Sequence, residues 1–141
     1  MYYYLYFTLK IILAIVLGGV LGWQRVRVGR AAGPRTYALV CAGSTIFTLM
    51  SIFAFPDTDS ARIAAQIVVG IGFLGAGMII HKDGGMVEGL TTAAGLWAVA
   101  AIGMLVGVGW VWESVIVTAL FLFILSIKDH WFVKDKKMFE K

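Results

Sequence analysis

The sequence is poor in cysteine and in charged residues, and each shortage excludes a class of protein. Its one cysteine, Cys41, lies inside an apolar run, which excludes a disulfide framework. Charged residues make up 14% of the 141 residues, whereas an average soluble domain has about 25%. Hydrophobic residues make up 60%, and a domain of this size cannot bury that much apolar surface in water. The composition therefore indicates a membrane protein with a single domain.

Sequence motifs of catalysis are missing as well. The chain has no metal-ligand spacing, no nucleotide-binding glycine loop between a strand and a helix, and no nucleophile with a base nearby. His81 and His130 stand alone. The net charge of +4 would suggest nucleic acid in a soluble protein, but in a membrane protein its distribution matters more. We therefore expect a protein that is not an enzyme, needs no cofactor and binds no nucleic acid.

Five apolar runs are candidates for membrane spans, which need about 20 mostly apolar residues each. They are residues 4–21, 37–55, 63–80, 92–106 and 110–127. As one helix, the last two runs would be about 54 Å long, so we expect a glycine turn at residues 107–109 to divide them. No strand-like alternation competes with helix. The sequence thus predicts an all-α membrane protein, a compact bundle of about five transmembrane helices over residues 1–127, followed by a short basic tail, residues 128–141.

The distribution of basic residues predicts the orientation. Residues 24–36, the predicted first loop, hold four arginines and no acid, and the tail, residues 128–141, holds five lysines and three acids. With five spans these two basic segments fall on the same side, which the positive-inside rule assigns to the cytoplasm. We therefore expect the N-terminus outside and the C-terminus inside. The arginines would also contact anionic lipid.

The third predicted helix carries the most unusual pattern, and we expect the bundle to be organised around it. At 100° per residue, Arg62, Gln66, Gly70, Phe73 and Gly77 fall within an arc of about 80°. This stripe begins polar and becomes lined by glycine with depth. Other small residues lie around most of the circumference, which predicts neighbouring helices on most sides and a central position.

Each polar residue of this segment has a structural and a functional interpretation. Asp59 is well placed to cap the helix, and it could also pair with Arg62. Arg62 is either an interfacial anchor or part of a polar path. Gln66 lies one turn deeper, where an unpaired amide is costly, so it bonds to a neighbouring helix or contacts a ligand or ion.

The glycines also leave two interpretations open. Four of them lie in residues 70–77: Gly70, Gly72, Gly75 and Gly77. They serve either close helix packing or a broken helix whose backbone coordinates an ion or small solute. Three further glycines share one face of the fourth helix, which we expect to pack against the third: Gly95, Gly103 and Gly107.

Other candidate residues lie near the ends of the spans. Thr91 or Thr92 is a natural N-cap of the fourth helix. Arg35 and Thr36 directly precede the second helix, a position that suits an arginine folded back into the bundle. Glu113 is an ionisable group close to the membrane, either functional or interfacial. Lys10 in the first span is expected to extend outward to the interface.

Four motifs in order carry a family resemblance. They are residues 33–36 (GPRT), 59–66 (DSARIAAQ), 70–77 (GIGFLGAG) and 89–94 (GLTTAA). Over about residues 11–127 the chain resembles the MgtC/SapB family of bacterial inner-membrane proteins. The resemblance implies a multi-pass inner-membrane protein linked to magnesium limitation, acid stress and virulence. It also implies action on partner membrane proteins, including the proton-driven ATP synthase and transporters, and magnesium transport has also been proposed for the family.

The chain departs from the family pattern in three places. Gln24 stands where the family often has an acid, which removes a possible salt-bridge or cation-binding carboxylate. Pro34 stands where a leucine is usual. Longer members carry a soluble C-terminal domain, whereas this sequence resembles a short form that ends in a basic tail.

Two functions of different classes remain open at this point. The first is a non-enzymatic regulator that acts through helix–helix contacts with other membrane proteins or with itself, and we expect a homodimer. The second is a transporter or channel for a cation such as Mg²⁺ or for a small solute. Transport requires a polar cavity beside Gln66 and Gly70, whereas a continuous, dry third helix argues for the regulator.

Overall fold

The computed structural model describes residues 2–54, 59–82 and 86–127, except for the side chain of Tyr3. In these residues five helices follow one another: α1 Tyr2–Arg27, α2 Pro34–Phe53, α3 Ala61–Gly77, α4 Leu90–Val108 and α5 Val111–Ser126. A short antiparallel hairpin, β1 Ile80–His81 and β2 Val87–Glu88, joins α3 to α4. The helical architecture is as predicted, whereas the hairpin is not. The predicted basic tail, residues 128–141, lies outside the described residues.

Three of the helices are long and apolar enough to cross a membrane: Tyr4–Arg27 within α1, Pro34–Phe53 and Leu90–Val108. α3 and α5 are apolar but have 17 and 16 residues. At about 1.5 Å per residue they measure roughly 26 and 24 Å, compared with a hydrocarbon core of about 30 Å. The chain is thus a helical membrane protein with three candidate spans. Five crossings, and the orientation derived from them, stay predictions.

α2 and α4 form the centre of the bundle. α2 contacts α1, α3 and α4, and α4 contacts each of the other four helices. The fully buried side chains of these two helices include Tyr37, Cys41, Val99, Ile102 and Val106. Because apolar side chains facing lipid gain nothing from burial, close packing rather than hydrophobicity decides which faces meet here.

The glycine face of α4 packs against α2 and not against α3 as the sequence suggested. A methyl group on Gly103 would overlap the carbonyl oxygen of Cys41, and one on Gly107 would lie 2.6 Å from the Cβ of Thr48. These glycines let the two backbones approach, and the Thr45 hydroxyl donates to the Gly103 carbonyl at 2.7 Å. α4 does contact α3, through Ala93 against Gly75.

α3 lies at the side of the bundle, so the predicted central position is wrong for the single chain. It contacts α2 and α4, and three of its residues are buried: Ile67, Ile71 and Gly75. The prediction treated small residues around the helix as a sign of neighbours on every side. In a membrane protein such residues can equally face lipid, or a surface supplied by another chain.

The turn between α4 and α5 confirms the predicted helical hairpin. α4 extends through Gly107 and Val108, and the reversal occurs at Gly109, whose φ of +102° is one that glycine adopts without strain. Its N–H lies 3.1 Å from the carbonyl oxygens of both Leu105 and Val106. The turn therefore satisfies carbonyl groups at the end of α4.

Candidate functional site

A groove lies between α2 and α3 on the described surface. Its volume is about 810 Å³. Six residues of each helix form its walls: Leu39, Val40, Gly43, Ser44, Phe47 and Met50 from α2, and Ile63, Gln66, Ile67, Gly70, Ile71 and Leu74 from α3. Ser44 and Gln66 supply the two polar side chains, and all the others are apolar or glycine. The cavity thus lies where the transport hypothesis requires one, beside Gln66 and Gly70, but its walls are mainly apolar.

Gln66 lies in this groove with its side chain exposed. It makes no hydrogen bond with any of the residues that the structure describes, so the interhelical bond predicted for it is not formed within this part of the chain. An amide without a partner in an apolar setting costs several kilocalories per mole relative to water, roughly 2–7 by transfer measurements. Gln66 is therefore available to a group from outside the described fold.

Most of the glycines of α3 lie on its exposed surface and not in the core. α3 is an uninterrupted α-helix from Ala61 to Gly77, so the broken-helix interpretation is wrong. A methyl group added at Gly70, Gly72 or Gly77 would meet no atom within 4 Å. Gly75 alone is buried, with Ala93 3.7 Å from the position of such a methyl. Because Gly70 has no side chain, the backbone of α3 is accessible at this point in the wall of the groove.

Asp59 stabilises the start of α3. Its carboxylate accepts a hydrogen bond from the N–H of Ala61 at 2.9 Å, and its carbonyl accepts one from the N–H of Arg62 at 3.1 Å. The formal N-cap residue is Ser60, whose side chain makes no capping bond. Arg62 is exposed, and the salt bridge found among the described residues joins Lys82 to Glu88, so the predicted Asp59–Arg62 pair is not formed.

Three other candidates at the helix ends do not enter the bundle. Arg35 and Thr36 are exposed in the first turn of α2, so the arginine is not folded back as predicted. Glu113 is exposed in the first turn of α5. An exposed carboxylate at that position interacts favourably with the helix dipole, which agrees with the structural interpretation.

Thr91 and Thr92 lie inside α4 instead of capping it. Gly89 takes the N-cap position in a left-handed conformation with φ of +92°, and no side chain caps the helix. Met78 packs so closely on Gly89 that a side chain there would overlap its carbonyl oxygen. As the third residue of α4, Thr92 is buried and turns its hydroxyl toward α1.

Two buried cations were missed as site residues by the sequence analysis. Lys10 is 4% exposed and Arg25 is 3% exposed, both on α1. They share one face of this helix with the buried Ala14, Leu17 and Leu21. At 100° per residue these five positions fall within about 80°. The spacing therefore places both cations on the buried face of α1, but it does not show which groups receive them.

Lys10 is well accommodated, so its predicted extension to the interface is wrong. Its ammonium group donates to the Gly107 carbonyl at 2.8 Å and lies 4.5 Å from the centre of the Tyr6 ring. Gly107 belongs to the last turn of α4, where the helix dipole favours a positive charge. A backbone oxygen, a dipole and a ring face thus all stabilise this cation.

Arg25 is poorly accommodated by comparison. α1 continues to Arg27, so Arg25 lies in its last turn and not in a loop. Its terminal nitrogen Nη2 lies 3.5 Å from the Thr92 hydroxyl, a long distance for a hydrogen bond, and the Tyr37 hydroxyl lies within reach of the guanidinium. Nε is buried without a partner.

Gln24, the departure from the family pattern, ties α1 to α5. Its amide nitrogen donates to the Leu125 carbonyl at 2.6 Å, and its amide oxygen is buried without a partner. A carboxylate at this position could not donate that bond. The replacement therefore has a structural role that the sequence did not reveal.

Comparison with known proteins bears out the resemblance. The sequence model described as the MgtC family matches residues 11–132. The chain is 50% identical over 103 residues to Protein MgtC of Salmonella typhimurium, covering 73% of this chain and 44% of that protein. It is 46% identical over 114 residues to Protein MgtC of Brucella abortus, covering 81% and 46%. Over 111 residues it is 43% identical to the Escherichia coli protein named "Putative magnesium transporter YhiD", covering 73% and 51%.

The chain spans about half the length of the curated relatives it matches. No solved structure matches it. The relatives therefore inform the helical part that the alignments cover.

Proposed function

This chain belongs to the MgtC family, and we propose that it is a non-enzymatic membrane protein that modulates other membrane proteins by binding one of their helices in the α2–α3 groove. We place the protein in the inner membrane of a bacterium and propose that it crosses this membrane several times. We further propose that it acts in the adaptation to magnesium or acid stress. The observation that carries the proposal is the groove itself, about 810 Å³ of apolar, open space between two helices.

The walls of the groove have the composition of a helix-binding surface. Gly43 on α2 and Gly70 on α3 both line it, and at neither would a methyl group meet another atom within 4 Å. Small residues on both walls allow the backbone of a third helix to approach, which is how helices associate in lipid. The exposed side chains of Phe47 and Leu74 supply apolar contacts at the rim.

Gln66 supplies the polar part of the proposed contact. A hydroxyl, amide or backbone carbonyl on the incoming helix would satisfy it, and interhelical hydrogen bonds of this kind contribute about 0.6 kcal/mol on average in membranes. The incoming helix belongs either to a second copy of this chain, giving a homodimer, or to a partner such as a transporter or a subunit of the ATP synthase. The family resemblance suggests a transporter or the ATP synthase as the partner.

Transport of a cation is the second candidate function. It is favoured by the name of the Escherichia coli relative and by a cavity at the expected place beside Gln66 and Gly70. The character of the cavity favours the first candidate, because ten of its twelve lining residues are apolar or glycine and α3 is unbroken.

Electrostatics in the described part of the chain also favour modulation over Mg²⁺ transport. The buried charged residues there are both cations, Lys10 and Arg25. A unit positive charge about 10 Å from Mg²⁺ raises its energy by roughly 3 kcal/mol at an effective dielectric constant of about 20. A path through the centre of this bundle would need compensating acids.

Photocrosslinking in native membranes tests the proposed docking surface. A benzophenone amino acid replaces Phe47 or Leu74 at the groove, and Phe123 or Ile116 on α5 as controls; all four side chains are more than half exposed. We expect discrete adducts from the two groove positions and none of the same mass from α5. Equal adducts from all four positions, or none from the groove, would reject the groove as the docking surface.

A further inference from the structure

Arg25 lacks a counter-charge in the part of the chain that the structure describes. It is 3% exposed, and the three acids described, Asp59, Glu88 and Glu113, are all exposed. Glu88 pairs with Lys82 at 2.7 Å. The guanidinium has five N–H donors, yet among the described residues it makes one long hydrogen bond, to the Thr92 hydroxyl, with the Tyr37 hydroxyl nearby, and its Nε has no partner. Burying a cation in this way is strongly unfavourable.

The helix next to Arg25 increases this cost. Thr92 lies in the first turn of α4, where the dipole is positive and free N–H groups point outward. No side chain caps this helix, and no acidic residue lies in its first turn. Lys10 gives the contrast within one molecule, because it lies at the negative end of the same helix and donates to its carbonyl. An anion beside Arg25 would neutralise the guanidinium and the α4 N-terminus together.

A second cavity lies beside Tyr37, whose hydroxyl is near Arg25. Its volume is about 210 Å³, and it is also bordered by Thr91, the neighbour of Thr92. Its other walls are mainly apolar and include Ile124 and Leu125 of α5. Mainly apolar walls with two hydroxyls at one end suit the chain of an amphiphile.

We propose that Arg25, with the Tyr37 and Thr92 hydroxyls and the N-terminus of α4, binds a phosphate-type oxoanion at the end of the bundle where α1 ends and α4 begins. The group is either the headgroup of an anionic lipid or free inorganic phosphate. Three exposed arginines near this end, Arg27, Arg30 and Arg35, raise the local concentration of either anion. The site is separate from the α2–α3 groove and does not depend on what that groove binds.

The test uses the purified full chain in a neutral detergent, stripped of lipid. One arm titrates inorganic phosphate at constant ionic strength, and the other titrates short-chain phosphatidylglycerol, with phosphatidylcholine of the same chain length as its control. The readouts are the thermal unfolding midpoint and bound adducts by native mass spectrometry. We expect a saturable rise of the midpoint in one arm. A rise with phosphate identifies the free ion, and a rise with phosphatidylglycerol alone identifies the lipid headgroup.

Substitutions tie the binding to Arg25. Arg25→Gln removes charge-assisted hydrogen bonds and should weaken binding by about 10- to 100-fold. Arg27→Gln is the matched control, because it removes the same charge from the same helical turn at an exposed position. It should change the affinity less than about threefold, the long-range effect of one screened charge.

A second pair of variants keeps the proposal testable if Arg25→Gln fails to fold. Thr92→Val and Tyr37→Phe each remove one hydroxyl, and each should weaken binding severalfold. In the absence of ligand, Arg25→Met should unfold at or above the temperature of the wild type, because it removes an uncompensated charge. The proposal is overturned if neither anion stabilises the protein, or if Arg25→Gln or the two hydroxyl variants bind as the wild type does.

Discussion

Two glycine-to-alanine substitutions should shift stability in opposite directions, although both glycines lie inside apolar helices. Gly103 in α4 faces the α2 backbone, and Gly72 in α3 faces open space. In Gly103→Ala the new methyl group would overlap the Cys41 carbonyl oxygen and lie 2.9 Å from the Ser44 Cβ. Because one of these neighbours is backbone, α2 and α4 must move apart to make room.

The size of the effect follows from three contributions. Overpacking of a close contact costs about 1–3 kcal/mol. Separating the helices also strains the hydrogen bond from Thr45 to the Gly103 carbonyl, 2.7 Å long, which contributes about 1 kcal/mol. Replacing glycine by alanine within a helix stabilises the folded state by roughly 0.5–1 kcal/mol, which offsets part of this cost. Gly103→Ala should therefore destabilise the protein by about 1–3 kcal/mol, whereas Gly72→Ala should stabilise it by up to about 1 kcal/mol.

The assay is reversible unfolding in mixed detergent micelles, followed by circular dichroism. The pair also separates the observed fold from the sequence-based expectation. If α3 were at the centre of the bundle, Gly72→Ala would be the destabilising substitution. With α2 and α4 at the centre, Gly72→Ala does not lower the stability. If Gly103→Ala is as stable as Gly72→Ala, the close approach of α2 and α4 is refuted.

Three further predictions concern single residues. Lys10→Met leaves the Gly107 carbonyl without the ammonium group that donates to it at 2.8 Å. It should destabilise the bundle by about 1–3 kcal/mol in the same unfolding assay. The control is Lys82→Met, at an exposed position, which should leave stability nearly unchanged. Asp59→Ala removes the acceptor of the Ala61 N–H and should lower the stability of the start of α3 by about 0.5–2 kcal/mol. We expect faster hydrogen exchange confined to the first turn of α3, and unchanged exchange would contradict this prediction. Arg62→Ala and Gln66→Ala should leave Mg²⁺ flux into proteoliposomes at the level of the wild-type protein, and a severalfold loss of flux in both would restore the transport hypothesis.

The sequence predicted the helices better than their arrangement. Apolar run length and the glycine turn at Gly109 were sufficient for five helices and the α4–α5 hairpin, because both signals are local. The central position was assigned to α3 and belongs to α2 and α4. Glycine spacing shows that a helix face permits close approach, but it does not name the helix that approaches. Gly103 and Gly70 look alike in sequence, and one meets backbone while the other meets nothing.

The candidate site was predicted in part for the same reason. Gln66 and Gly70 do line a cavity, since their spacing placed them on one face of α3. Lys10 and Arg25 were treated as interfacial because lysine and arginine near the ends of apolar runs usually extend to water. Their burial depends on what α4 offers at each end, a carbonyl at Gly107 and a hydroxyl at Thr92. Such contacts across the bundle are not encoded in the spacing of α1 alone.

The most direct test of the groove compares two leucine substitutions on α3. Gly70→Leu fills the groove, and Gly72→Leu adds the same side chain to the same helix outside it; a methyl group at either position would meet no atom within 4 Å. The measurement is the amount of partner, or of a differently tagged second copy, that co-purifies from native membranes. We predict that Gly70→Leu lowers it about 5- to 150-fold, the effect of overpacking a helix contact by about 1–3 kcal/mol, and that Gly72→Leu leaves it unchanged. Equal recovery with both variants would contradict the proposal that the α2–α3 groove binds a helix.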